Sequence, residues 1–162
     1  RFDIYLPRST AAEAINPSAQ NQGSSGGATL APSRTGETIL LVDDEAVVRR
    51  IGRTLLSKLG YQVIEAADGL EAIEICRSRG GEIHLVLLDL TMPNLSGKET
   101  FARLRETHPD LPVLICSGYL VDLNEFTREC GASPDGFVQK PYSFEDMAEM
   151  IRKMLDHQSH AA

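Results

Sequence analysis

The chain has 162 residues, of which 42% are hydrophobic and 24% charged, and this is the composition of an ordinary globular protein. That length allows one domain with a substantial core and additional chain outside it. The net charge of -7 argues against direct binding to nucleic acid. No apolar run is long enough to cross a bilayer and no signal peptide opens the sequence, so we expect no membrane contact and a cytoplasmic location. The odd number of cysteines, without metal-ligand spacing, predicts free thiols in a reducing compartment at Cys76, Cys116 and Cys130.

Residues 1–36 differ in composition from the rest of the chain. Residues 9–36 are rich in Ala, Ser, Gly, Asn, Gln and Pro, and such a segment cannot bury enough apolar surface to offset the entropy lost on ordering. We therefore predict a flexible linker there. Residues 2–7 instead alternate like a strand that is stopped by a proline. The predicted folded domain covers residues 37–158.

In the rest of the chain, short apolar runs alternate with amphipathic segments. The runs predict strands and the amphipathic segments predict helices. The predicted strands cover residues 39–42, 61–66, 84–89, 113–116 and 136–139. The predicted helices cover residues 46–59, 69–79, 97–107, 121–130 and 143–156.

The apolar stripes of the first two helices predict which side chains face the core. In the first helix they are Val47, Ile51, Leu55 and Leu59, with Val48 and Leu56 widening the stripe. In the second helix they are Leu70, Ile73 and Cys76, and Asp68 is the expected N-cap.

Alternating strand and helix units predict an α/β fold with a parallel sheet covered on both faces. Five such units suit the flavodoxin-like, doubly wound (βα)5 arrangement with strand order 2-1-3-4-5. Ligands of such sheets bind at the carboxyl ends of the strands. The side chains that the sequence sends to this edge are Asp43 and Asp44 after the first strand, Asp89 at the end of the third, Ser117 after the fourth and Lys140 after the fifth.

These side chains permit metal-dependent phosphoryl chemistry. Three carboxylates at one edge repel each other unless a cation compensates, and Mg²⁺ binds a few carboxylate oxygens while accepting phosphate oxygens as further ligands. One carboxylate can instead act as a nucleophile and form an aspartyl-phosphate. Lys140 would then supply positive charge and Ser117 hydrogen bonds to the phosphoryl oxygens.

Each of these residues also has a structural explanation. Asp43 or Asp44 can be a helix N-cap that the helix dipole favours. Ser117 is typical of a turn, Lys140 can be solvated, and Asp89 can merely end a strand. The joint pattern is more specific than any of its members, because four strand ends carry matching chemistry.

Four motifs, in strand order, resemble the receiver-domain pattern of two-component response regulators. They are Asp-Asp-Glu after the first strand, Leu-Leu-Asp-Leu-Thr-Met-Pro at the third, Ser-Gly after the fourth and Lys-Pro after the fifth. The resemblance covers about residues 37–157. It implies that Asp89 is the phosphoacceptor, and that Asp43, Asp44 and Asp89 bind Mg²⁺ together with the backbone carbonyl of Thr91.

The resemblance also implies a conformational switch. Ser117 matches the switch hydroxyl, Phe137 the aromatic residue that turns inward, and Lys140 the lysine of the phosphorylation site. It further implies a cis peptide between Lys140 and Pro141. Ser117 stands where Thr is common and Phe137 where Tyr is common, and the missing Tyr hydroxyl predicts a weaker switch.

Residues 1–8 resemble the last strand of the ATP-binding domain of sensor histidine kinases, which commonly ends in an aromatic-x-aliphatic-aromatic-Leu-Pro pattern. The order of a kinase strand, a linker and a receiver implies that this chain is the C-terminal receiver of a hybrid sensor histidine kinase. The parent kinase would be attached to a membrane only through an upstream sensor region. The chain alone would lack kinase activity and perform only self-catalysed phosphotransfer and autodephosphorylation. Its donor would be a phosphohistidine on its own kinase region or on a histidine phosphotransfer domain. The sequence does not decide whether the receiver forms a weak homodimer.

Three alternatives use the same fold or chemistry. A phosphatase of the haloacid-dehalogenase class also has an aspartyl nucleophile, but it needs a second Asp where this chain has Thr91. A flavin- or nucleotide-binding module needs a phosphate cradle after the first strand, where Asp43 and Asp44 would repel phosphate. A pseudo-receiver that only docks partners is opposed by the presence of Asp89 and Lys140.

Overall fold

A computed structural model describes residues 36–158, which contain five strands and five α-helices. The strands are β1 (Thr38–Val42), β2 (Gln62–Ala66), β3 (Leu85–Asp89), β4 (Val113–Ser117) and β5 (Gly136–Gln139). The helices are α1 (Ala46–Lys58), α2 (Gly69–Arg79), α3 (Gly97–Thr107), α4 (Leu123–Cys130) and α5 (Phe144–Gln158). A 3-10 helix at Gly80–Glu82 follows α2. The predicted kinase strand and all of the predicted linker except residue 36 lie outside the described residues.

The five strands form one parallel sheet in the order β2-β1-β3-β4-β5. Strand and helix alternate along the chain, because a parallel pair needs a crossover that returns the chain to the same edge. The predicted α/β class, the doubly wound arrangement and the strand order are all confirmed.

Alternate side chains of the buried strands point to opposite faces of the sheet, and each face carries its own core. On one face, Leu40, Val86 and Ile115 pack with Cys76 of α2, Phe101 of α3 and Phe126 of α4. On the other face, α1 and α5 cover the sheet. The strand residues there are Ile39, Leu41, Leu85, Leu87 and Leu114, which pack against Leu56 of α1 and against Met147, Ile151 and Leu155 of α5. Both faces are therefore covered, as continuous apolar strands require.

The core-facing side of α1 differs from the prediction. Val47 is 67% exposed and Ile51 is 55% exposed, so their assignment to the core was wrong. The reason is Gly52, which lies so close to β1 that an added Cβ would be 2.9 Å from a methyl group of Leu41. The helix approaches the sheet along this glycine, and that turns Leu56 inward and Val47 and Ile51 outward.

The buried side of α2 also differs in part from the prediction. Gly69, Ala72 and Cys76 are its buried positions, whereas Leu70 is 54% exposed, so the prediction was right for Cys76 and wrong for Leu70. The predicted N-cap is confirmed, because Asp68 accepts a hydrogen bond from the N–H of Glu71 at 2.8 Å. Within residues 36–158, no helix combines the length and the apolar character needed to cross a membrane.

Candidate functional site

The strand register brings the predicted site residues to one edge of the sheet. Asp89 ends β3 and is paired with Cys116 of β4, and Ser117 then ends β4 opposite Gln139. Asp43 directly follows β1, and Lys140 directly follows β5. Because the strands are parallel and adjacent, these residues meet although they are up to 97 positions apart in sequence.

Three carboxylates form the centre of the site. One carboxylate oxygen from each of Asp43, Asp44 and Asp89 lies within 4.8 Å of the other two. Asp43 is 3% exposed and Asp89 is 6% exposed, whereas Asp44 is open to solvent. A small cluster of hard oxygen donors with one open side is the arrangement that Mg²⁺ prefers, since this ion retains several waters. The donor set therefore fits a magnesium ion.

Lys140 provides the positive charge of the site. Its Nζ lies 3.1 Å from Asp89 Oδ2 and 3.3 Å from Asp43 Oδ2. Desolvation lowers the pKa of Lys140, but the hydrogen bond to Asp89 and the charges of both carboxylates outweigh this and raise the pKa above its ordinary value. The ammonium therefore stays charged at neutral pH. The predicted cis peptide between Lys140 and Pro141 is present.

The Ser117 side chain is fully buried and turned toward the loop that follows β4. Its hydroxyl donates to the carbonyl oxygen of Tyr119 at 2.9 Å and accepts from the N–H of the same residue at 3.2 Å. The structure thus places Ser117 at the predicted edge and gives its hydroxyl a local partner. Phe137, in β5, is half-buried against the core formed with α3 and α4.

Thr91 belongs to the loop after β3, and its N–H donates to Asp89 Oδ1 at 3.3 Å. The backbone of this loop therefore lies beside the Asp89 carboxylate, as a carbonyl ligand from Thr91 would require. The Thr91 side chain is exposed.

Two residues that sequence reasoning did not select also contact the site. Arg49 of α1 donates from Nη1 to the backbone carbonyl of Asp43 at 2.6 Å. Tyr142 lines an apolar cavity of about 250 Å³ that opens beside Asp43 and Asp89. Burial raises the pKa of the Tyr142 hydroxyl, and its contact with Cys116 adds to the effect. Their positions, one helical turn after Glu45 and two residues after Lys140, were the only signals in the sequence.

The model of the response regulator receiver domain family matches residues 39–152. The chain belongs to this family. It is 42% identical over 122 residues to the sensor kinase CckA of Brucella abortus (strain 2308), a match that covers 75% of this chain and 13% of that kinase. The match spans 48% of the probable transcriptional regulator ycf27 of Porphyridium aerugineum and 50% of the response regulator MprA of Mycobacterium sp. (strain KMS).

Solved structures show the same fold. A CheY-like receiver domain protein of Methanospirillum hungatei JF-1 superposes with a TM-score of 0.70 at 27% identity, covering 78% of this chain and 98% of that one. The response regulator TrrA of Thermotoga maritima, solved in complex with Mg²⁺-BeF, gives a TM-score of 0.65 at 28% identity, covering 73% of this chain and 98% of that one. The protein is a receiver domain of two-component signalling, a class that receives phosphoryl groups from histidine kinases or phosphotransfer proteins.

Proposed function

We propose that Asp89 is the phosphoacceptor of this receiver and that Mg²⁺ is its cofactor. The observation that carries the proposal is the convergence of four strand ends on one carboxylate. Lys140 Nζ lies 3.1 Å from Asp89, and oxygens of Asp43, Asp44 and Asp89 lie within 4.8 Å of one another. A structural ion pair would need one lysine and one carboxylate, and it would leave the other two acidic residues unexplained.

The residues of the site have distinct parts in the transfer. An oxygen of Asp89 forms a bond to phosphorus while the P–N bond of the donor phosphohistidine breaks, and the electron pair of that bond stays on the imidazole nitrogen. Lys140 neutralises charge on the phosphoryl oxygens, which is the main requirement of this chemistry. Asp43, Asp44, Asp89 and the carbonyl of Thr91 would hold Mg²⁺, and the bound ion would supply further positive charge to those oxygens.

The proposed switch uses the present partners of Ser117. On phosphorylation the hydroxyl would exchange its two Tyr119 contacts for a phosphoryl oxygen, and this would draw the loop between β4 and α4 toward Asp89. Phe137 is paired in register with Ile115, two residues before Ser117 on the neighbouring strand. A shift of that loop would therefore change the packing of Phe137 and the surface around α4.

We also propose that the receiver comprises residues 37–158 and that its parent is a hybrid histidine kinase, with a kinase strand at 1–8 and a linker at 9–36. The 42% identity to a sensor kinase supports this placement. The donor is then a phosphohistidine of the parent's own kinase region or of a histidine phosphotransfer domain. The test supplies each phosphorylated donor separately to the chain and follows the label. If neither donor transfers its label to Asp89, the proposed donors are wrong.

The phosphoacceptor is tested with acetyl phosphate and Mg²⁺, and the modification is measured by intact mass and peptide mapping. We expect one phosphoryl group on the wild-type chain and none on Asp89→Asn, whose fold is checked by its amide NMR spectrum. Asp44→Asn is the matched control, since it retains the acceptor and should need more Mg²⁺ for the same modification. Normal labelling of Asp89→Asn would refute the assignment, and Mg²⁺ binding without any labelling would favour a docking-only receiver.

A further inference from the structure

Asp43 is held at four points. Its N–H donates to the carbonyl oxygen of Ala66 at 3.3 Å, and its own carbonyl accepts from Arg49 at 2.6 Å. One carboxylate oxygen accepts from the N–H of Glu45 at 2.8 Å, and the other accepts from Lys140 at 3.3 Å. These contacts fix both the backbone and the side chain, so the direction of the Asp43 carboxylate depends on its neighbours.

Arg49 is itself fixed by the sheet. Its side chain is 16% exposed, and its Nε lies 3.8 Å from an oxygen of Glu65. Glu65 is the penultimate residue of β2, directly before the Ala66 carbonyl that binds Asp43. The end of β2 and the first turns of α1 therefore form a bracket around the backbone of Asp43, and Arg49 connects its two sides.

The start of α1 has few other anchors. Its N-cap, Glu45, makes no side-chain capping bond, and the first turn of the helix has no acidic residue. The Arg49 bond to the Asp43 carbonyl ties the first turns of α1 to the residue that directly follows β1.

We propose that Arg49 is a positioning residue for the metal site, which holds Asp43 in the orientation that binds Mg²⁺. The inference rests on the proposed function and adds a residue that touches neither the ion nor the phosphoryl group. Two effects of opposite sign make it testable. The positive charge of Arg49 repels a cation, so its removal by itself tightens Mg²⁺ binding. Loss of the Arg49 bond to Asp43 weakens Mg²⁺ binding, since the substitution of residues that orient metal ligands lowers metal affinity about 10–100-fold.

The experiment compares Arg49→Gln with Arg53→Gln in the full chain. Arg53 lies on the same helix and forms an ion pair with the same Glu65 at 2.8 Å, so its substitution removes an equal charge. The Arg53 side chain bonds to that glutamate and contributes none of the four contacts that hold Asp43, so Asp43 keeps its contacts in this variant. Mg²⁺ affinity is measured by amide NMR titration without a phosphodonor, after thermal melts show that each variant is folded at the assay temperature.

We expect Arg49→Gln to weaken Mg²⁺ binding about 10-fold, and Arg53→Gln to leave it unchanged or slightly tighter. Arg49→Lys keeps a cationic donor and should recover part of the lost Mg²⁺ affinity. If Arg49→Gln fails to fold, Arg49→Lys is compared with the wild type instead, and we expect it to bind Mg²⁺ more weakly than the wild type. Equal or tighter binding by the Arg49 variants, or equal weakening by both glutamine variants, overturns the inference. Absence of Mg²⁺ binding by the wild-type chain would instead refute the proposed function.

Discussion

Gly97, the first residue of α3, lies directly against the end of β3. Its N–H donates to the carbonyl of Leu90 at 3.3 Å. A Cβ at this position would lie 2.5 Å from Leu90 Cα and even closer to the carbonyl oxygen of Asp89. Both obstacles are backbone atoms, which cannot turn aside as the tip of a side chain can. The substitution Gly97→Ala must therefore move either the start of α3 or the end of β3.

The magnitude follows from two opposing effects. Overpacking of a close-packed site costs about 1–3 kcal/mol, and a contact with backbone on two atoms belongs at the upper end. Against this, Gly→Ala reduces the entropy of the unfolded chain by about 0.4–1 kcal/mol. We expect a net loss of about 2–2.5 kcal/mol, and a domain of this size loses roughly 4 °C in Tm for each kcal/mol. The predicted Tm decrease is therefore about 8–10 °C.

Urea unfolding of the full chain measures this loss, and Gly81→Ala is the matched control. An added Cβ at Gly81 would have no heavy atom within 4 Å, so this variant should be as stable as the wild type or slightly more stable. Because the displaced atoms belong to Asp89 and Leu90, Gly97→Ala should also weaken Mg²⁺ binding, whereas Gly81→Ala should not. Equal stability of the two variants would refute the reasoning about Gly97.

Two further predictions concern the charge and the thiols of the domain. Lys140→Met removes a charge that lies 3.1 Å from Asp89, so Mg²⁺ affinity should rise at least about fivefold. A fivefold change corresponds to about 1 kcal/mol, which is the interaction of two unit charges about 4 Å apart in water. Unchanged or weaker Mg²⁺ binding in an NMR titration would contradict this prediction. Burial raises the pKa of Cys76 to about 11, so only roughly a thousandth of it is thiolate at pH 8. Iodoacetamide at pH 8 should therefore label the half-buried Cys130 well before Cys76, as peptide mapping can measure, and equal rates would disprove the burial explanation.

The opposite expectations for Lys140 and Arg49 come from what each cation touches. Lys140 binds the carboxylate oxygens themselves, so it competes directly with a metal ion for the same atoms. Arg49 binds the backbone carbonyl of Asp43 and not its carboxylate oxygens, so it does not compete with the ion for them. Removal of Lys140 therefore exposes the carboxylate oxygens to the metal ion, whereas removal of Arg49 loosens Asp43, which is one of the ligands.

The sequence alone was sufficient for the fold and for the group of acidic residues and lysine at the strand ends. The apolar periodicity of each segment depends on only a few neighbouring residues, and alternating strands and helices leave few topologies for a parallel sheet. Once the sheet is parallel, every strand ends at the same edge. Asp43, Asp89 and Lys140 therefore had to meet there, whatever the details of packing.

Only the tertiary structure decided how the helices are rotated and which bonds the site residues make. The sequence allows more than one side of α1 to face the sheet. The close contact of Gly52 with Leu41 decides the rotation of the helix, and in this rotation Ile51 is exposed. The bond from Arg49 to Asp43 likewise depends on that rotation and on the position of β2. Such features arise from contacts between elements distant in sequence, and a local pattern of residue types does not contain that information.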